Sequence, residues 1–308
     1  MSSQMFEDGR WPGHTGNWGR WNDDRGTLNT IDPSVVLRAV STVREGVAIS
    51  CSRPVSDHEP LRSGGEKPFK HEMLTAGVWD LEPERTESLN ASDRISVRTH
   101  GMVNTHIDAL AHVGYMGKGF NGRPFDDMVT MSEGVKHGDV VSAVGTVTRG
   151  LLIDVAAARG VDHIEPGDCA RPEDIEPHLS IIEPGDAVLI RVGGTLIGGR
   201  APVAGENRHG TWPGLHPECV EMLATRDVSL LGSDTGNDVF PSPYEHICRS
   251  PVHTLALVYY GIHLIHNLDL EKLAKELLRH SRTHFLFVVS PLHLVGATGS
   301  VVAPVAVI

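Results

Sequence analysis

Cysteine is scarce and unpatterned: Cys51, Cys169, Cys219 and Cys248 are the only four in 308 residues, and no two form a CxxC pair. That excludes a disulfide framework or a zinc finger and fits thiols kept reduced in the cytoplasm. Basic residues are also short in supply, with 27 Lys and Arg against 39 Asp and Glu for a net charge of −12. A chain of that sign repels phosphate backbones, so nucleic acid is not an expected partner. Long apolar runs are missing. The two most apolar stretches, 251–265 and 285–308, are broken by His, Gly or Pro within fewer than the ~20 residues a membrane helix needs. The N-terminal segment has neither the cationic start nor the apolar core of a secretory signal. No GxSxG elbow, GK[ST] phosphate loop or GxGxxG turn occurs, which counts against serine-hydrolase, nucleoside-triphosphate and dinucleotide chemistry. The expectation is a cytoplasmic protein acting on a small molecule, with no membrane or nucleic-acid partner.

What is present suits a globular α/β chain. Apolar residues make up 40% and charged residues 21%, and a chain this long buries roughly 75% of its unfolded surface. The first thirty residues lack periodicity but carry Trp11, Trp18 and Trp21, whose rings are costly to leave in water. They read as an arm (1–30) lying on the body (31–308) or on a neighbouring subunit. Asp32 and Pro33 predict a helix start, followed by Val35, Val36, Ala39 and Val43 at helical spacing. Residues 53–94 read as a long polar surface excursion. Leu151–Val155, Ala187–Val192, Val228–Leu231, Phe285–Ser290 and Val301–Ile308 read as buried strands. Pro217–Arg226 and Leu268–His280 read as helices. One mixed sheet follows.

Eighteen histidines are many for this length, and clustering is what matters. The densest run is His100-Gly-Met-Val-Asn-Thr-His106-Ile-Asp108-Ala-Leu-Ala-His112. On a strand, His106 and Asp108 point to one side. A helical turn after Asp108 would bring His112 to the same face. Imidazole and carboxylate are suitable ligands for Zn²⁺ or Mn²⁺, and a further imidazole can move protons. By contrast, Gly232-Ser-Asp-Thr-Gly236 reads as a turn. Tyr259, Tyr260, His263 and His266 fit a packed strand and turn better than a site.

The run Thr105-His-Ile-Asp-Ala-Leu-Ala-His112 resembles the HxGTHxDxPxH signature of the metal-dependent cyclase family, which includes kynurenine formamidases and isatin hydrolases. Trp21–Asn29, Gly185–Arg191, Trp212–Glu218, Leu231–Asp234 and Pro291–Gly296 are similar to other family blocks, so the resemblance spans nearly the whole chain. It implies a swivelling β/β/α fold with a mixed sheet or barrel, usually assembled as a homodimer or homotetramer. It also implies hydrolysis of a C–N bond in a cyclic amide, formamide or related carbonyl compound by water activated on a divalent metal. By position, His106 and Asp108 would ligate the metal and His112 would transfer protons. Glu218 would serve a second metal position, joined by His209 or His216.

The chain departs from that signature where it matters. Met102 stands at the family's first histidine and Asn104 at its glycine. A thioether is a poor ligand for Zn²⁺ or Mn²⁺. His100 can replace it only if the backbone bends at Gly101, because the extended gap to His106 spans ~20 Å. Trp18, Trp21, Met102 and Asn104 are the candidate substrate-contacting residues. The alternatives are a cyclase or lyase needing little or no metal, and a binding protein that kept the fold.

Overall fold

The structure, a computed structural model, describes residues 16–55, 69–78, 84, 86–87, 89–197 and 211–308. Its strands in chain order are β1 (Ala48–Ser50), β2 (Phe69–Val78), β3 (Leu89–Val97), β4 (His106–Asp108), β5 (Val129–Thr130), β6 (Gly134–Val135), β7 (Thr146–Asp154) and β8 (Cys169–Ala170). Then follow β9 (Ala187–Arg191), β10 (Gly214–Leu215), β11 (Leu230–Ser233), β12 (His263–His266), β13 (His284–Val289), β14 (Gly299–Val301) and β15 (Val305–Val307). Nine of them form one sheet in the order β1-β15-β13-β7-β9-β11-β12-β4-β14. The four inner strands β7, β9, β11 and β12 run parallel, and antiparallel strands flank them on both sides.

Alternation along these strands builds a core on each face. In β7, Leu151 and Ile153 join one cluster while Leu152 joins the other. In β9, Val188 and Ile190 oppose Ala187 and Leu189. Every side chain of β9 is buried, as a parallel strand covered on both faces requires. The helix Pro217–Ala224 and the helical turns of 251–260 cover the first face. The helix Glu271–Arg279 covers the second through Leu273 and Leu277, four residues apart. The expected first helix spans Pro33–Val40, its N-terminus held by Asp32 Oδ1, which accepts from Ser34 N at 2.7 Å and Val35 N at 3.0 Å. Residues 16–30 lie on the body: Asn17 N donates to Tyr259 O at 2.9 Å and Thr27 N to Gly261 O at 2.9 Å.

The sheet curls into a half-barrel. Seven strand spacings separate β15 from β14 in the order, roughly 34 Å if the sheet were flat. Only Val302, Ala303 and Pro304 join them, a link that reaches at most ~15 Å. The two ends must therefore approach each other. They do so where Cys51 N donates to Pro304 O at 2.8 Å and Val302 N to Thr105 O at 3.1 Å.

Three expectations need correction. Residues 53–94 include β2, which continues with β3 as an antiparallel hairpin of nine paired positions. The final stretch is two strands rather than one, because Pro304 has no N–H to donate to a ladder. Residues 251–260 are helical, with 254–260 wound as a π-helix that stops at Gly261 in the left-handed region. Among the described residues, no helix is long and apolar enough to cross a membrane.

A buried carboxylate ringed by imidazoles

On β4 the pleat sends Ile107 into the core and His106 and Asp108 to the other side, where both are buried. A turn of 3-10 helix, Leu110–His112, then swings the His112 ring back over the strand. The bend needed to recruit His100 is present: Gly101 has φ +132°, a conformation that glycine tolerates and other residues rarely adopt. His100 Nδ1 consequently lies 2.9 Å from Asp108 Oδ1, while its Nε2 meets Thr298 Oγ1 at 2.9 Å. The rings of His100 and His112 stack with centroids 3.7 Å apart.

Asp108 is the hub. Its Oδ1 faces His100 and, at 3.5 Å, His106 Nε2. Its Oδ2 faces His266 Nε2 at 2.8 Å, His253 Nε2 at 3.5 Å and His112 Nε2 at 3.9 Å. Burial alone would raise its pKa. The surrounding imidazoles, His266 and His112 first, together with hydrogen bonds from His100 and His266, outweigh that and hold it well below the usual carboxylate range. Burial pushes His106 down to about 3 and His112 down to about 4, despite the attraction of Asp108. Both are neutral imidazoles at neutral pH.

Two of the rings have their tautomers set from behind. His106 Nδ1 is 2.8 Å from the carbonyl oxygen of Asn104, so it must donate. The neutral ring therefore turns the lone pair of Nε2 toward the Asp108 carboxylate. His253 Nδ1 donates to Asp238 Oδ2, which again leaves Nε2 aimed at Asp108. Lone pairs directed at a carboxylate repel unless a proton or a cation lies between them. Histidine ligands of metals are oriented by this kind of carbonyl or carboxylate bond. The donor set thus fits a divalent cation. Among the described residues, two groups of three ligating side chains have donor atoms within 4.8 Å of one another: His100, Asp108 and His112, and His106, Asp108 and His266.

Of the other predicted residues, Glu218 and the two tryptophans lie away from the imidazole cluster. Glu218 is in neither group. It sits at the start of the helix Pro217–Ala224 beside His216, whose Nε2 meets Tyr244 Oη at 3.2 Å. Its neighbour Glu221 is pushed up to about 7 by burial and by the charge of Glu218. His209 lies outside the described residues. Met102 packs over the backbone of Gly236, its sulfur 2.6 Å from where a Cβ on that glycine would stand. Asn104 is buried; its side chain donates to Arg98 O at 3.0 Å, and its carbonyl also accepts from Asn267 Nδ2 at 2.9 Å. Trp18 donates to Val258 O at 2.6 Å and stacks on Tyr259 at 5.6 Å, and Trp21 packs against the core under the Arg20 guanidinium. Both tryptophans fasten the arm to the body.

Sequence reasoning missed His253 and His266. The first sits on an irregular helical segment where no 3.6-residue pattern could mark its face. The second reaches the site only because β12 pairs with β4 in the register His266↔His106. The packed-strand reading describes its neighbour His263, which is fully buried and pushed down to about 3 by desolvation. The GSDTG segment reads as a turn in the sequence, but Gly232 and Ser233 end β11 and the bend begins only at Asp234, which accepts from the amides of Val192, Gly193 and Gly194 at 2.9–3.0 Å.

Comparison with known proteins places the chain in a family. The Cyclase family model matches residues 30–237. A solved structure described as a novel cyclase superposes with a TM-score of 0.80 at 24% identity, covering 96% of this chain and 100% of that one. Isatin hydrolase A from Labrenzia aggregata, bound to benzyl benzoate, follows with a TM-score of 0.61 at 20% identity, covering 87% and 94%. A potential metal-dependent hydrolase with cyclase activity gives 0.52 at 20%, covering 84% and 98%. At these identities the likeness is one of fold. No curated protein sequence matches the chain. With the family model covering more than half of its residues and the half-barrel shared, the chain belongs to the Cyclase family.

Proposed function

We propose that this protein is a metal-dependent hydrolase of a C–N bond beside a carbonyl in a small cyclic amide, formamide or related compound. The observation that carries the reading is the buried Asp108 carboxylate with the Nε2 lone pair of neutral His106 turned toward it and further imidazole nitrogens converging on it. The isatin hydrolase and the metal-dependent hydrolase among the structural neighbours support the reaction class. His106, Asp108 and His266, with His100 and His253 beside them, would hold the metal, Zn²⁺ or Mn²⁺ by their chemistry. When bound, it lowers the pKa of water toward ~7 and polarises the carbonyl.

The remaining work falls to the chain. His112 is the least buried of the inner rings after His100, with a quarter of its side chain exposed. A neutral ring there takes a proton from water at neutral pH and returns it to the leaving nitrogen. Stacking on His100 restricts the ring to one plane. Asp108 balances the charge that the ring acquires. Asn104 and Asp238 keep His106 and His253 in the tautomers that face inward.

The test is elemental analysis of protein purified without added metal, read beside hydrolysis of a panel of cyclic amides and formamides. About one equivalent or more of metal, lost together with activity in His106→Ala, is expected. Activity that survives chelation would transfer the site to a metal-independent cyclase or lyase.

We further infer assembly into a homodimer or homotetramer. An isolated two-stranded hairpin is marginally stable in water, yet β2 and β3 expose Met73, Leu74, Leu89 and Ile95. Light scattering showing only monomer at micromolar concentration would refute this.

A further inference from the structure

We propose that an arginine-lined groove at the opposite edge of the sheet binds a small, multiply charged oxyanion: a phosphate ester or a polycarboxylate. The groove holds about 440 Å³ and is lined by Arg38, Arg44, Arg149 and Arg282, with Thr283 and His284 at its side. A volume of that order suits a small-molecule ligand.

Charge is the first argument. Two carboxylates answer these four guanidinium groups. Asp186 pairs with Arg149 at 2.7 Å and with Arg38 at 3.4 Å, and Glu183 pairs with Arg149 at 3.1 Å and Arg38 at 3.2 Å. Glu45, next to Arg44 in the chain, faces His280 at 3.6 Å instead. Among the described residues Arg44 and Arg282 have no carboxylate partner, so the groove keeps an excess of two positive charges in a chain of net charge −12.

Unused donors are the second. Arg282 is anchored by one terminal nitrogen, Nη2, which donates to Thr42 O. Its Nη1 is buried without a hydrogen-bond partner, and so is Arg38 Nε. Buried guanidinium nitrogens are costly to leave unpaired, and planar forks of this type match carboxylate and phosphate oxygens.

Position separates the groove from the imidazole cluster. Arg149 lies on β7, four strands from β4 in the sheet, roughly 19 Å measured along its curve. Asp186, which holds Arg149, precedes β9 at the N-terminal edge of the parallel strands. His266 ends β12 at the C-terminal edge. An anion in the groove would therefore touch neither the cluster nor its substrate.

The test is calorimetric titration of the full-length, metal-loaded protein with inorganic phosphate and with tricarballylate, each against sodium chloride at matched ionic strength. Arg44 is exposed and serves as the mutation site, because its loss leaves the internal pairs intact. Saturable binding, about tenfold weaker in Arg44→Ala and abolished in Arg44→Glu, supports the proposal. The tighter of the two probes names the ligand class. Binding that matches sodium chloride overturns it. So does binding that is unchanged in both Arg44 variants but lost in His106→Ala, which would place the anion at the imidazole cluster.

Discussion

Replacing Asp238 by Asn probes the site from behind without touching the ring of donors. Asp238 Oδ1 accepts from Val252 N at 2.7 Å, and Oδ2 accepts from His253 N at 3.3 Å and from His253 Nδ1. The amide of Asn is the same size and keeps one acceptor, so the Val252 bond survives. Its NH₂ group then faces two N–H donors of His253. The imidazole relieves the clash by moving its proton from Nδ1 to Nε2. That places a hydrogen on the nitrogen 3.5 Å from Asp108 Oδ2 and removes the lone pair a cation would use. Losing such an orienting carboxylate costs roughly 10–100-fold in metal affinity, or about 1.4–2.7 kcal/mol. Competition with a fluorescent chelator measures it, with circular dichroism confirming the fold. Affinity within twofold of the parent would refute the inference that His253 is oriented toward a metal.

Other expectations are equally direct. His112→Gln should keep its metal but lose roughly 10²–10⁴ in kcat, the usual contribution of a positioned acid–base group; equal loss of metal would make His112 a ligand instead. Gly150→Ala should destabilise the protein by ~1–3 kcal/mol or more, because the new Cβ would stand 2.2 Å from the buried Phe285 ring; an unchanged Tm would contradict the packing described. Burial pushes Asp234 up to about 6 from 3.8. A raised carboxyl favours the folded state while protonated, so its contribution is present below pH ~4 and is lost as pH rises through 6. The difference in stability between parent and Asp234→Asn should shift by on the order of 3 kcal/mol across that window. Denaturant titrations at a series of pH values that show a flat difference would rule this out.

Much of the fold was legible because local rules and global needs agree. Asp32-Pro33 predicts a helix start that the structure shows, and the apolar runs around 151, 187 and 285 are strands because they are buried on one or both faces. Short-range alternation likewise placed His106 and Asp108 together. What stayed hidden depends on tertiary pairing. Nothing in the segment Pro251–His266 signals that two of its histidines reach Asp108, since one ends a single α-helical turn just before a π-helical winding and the other is delivered by strand register. Met102 misled in the opposite direction: counting back four residues finds a thioether, while the ring that meets Asp108 comes from His100 after a bend that only Gly101 announces. Glu218 followed a sequence block, but its helix points that carboxylate toward His216 and Glu221.

The three-residue bridge between β14 and β15 makes strand β15 a structural partner of the imidazole cluster. β15 is clamped between β1 and β13, and β14 pairs directly with the strand carrying His106 and Asp108. Tension or disorder at Val305–Ile308 would travel through Pro304 to the backbone that holds the hub carboxylate. Trimming the last four residues should therefore impair catalysis as well as stability, even though none of them faces the histidines.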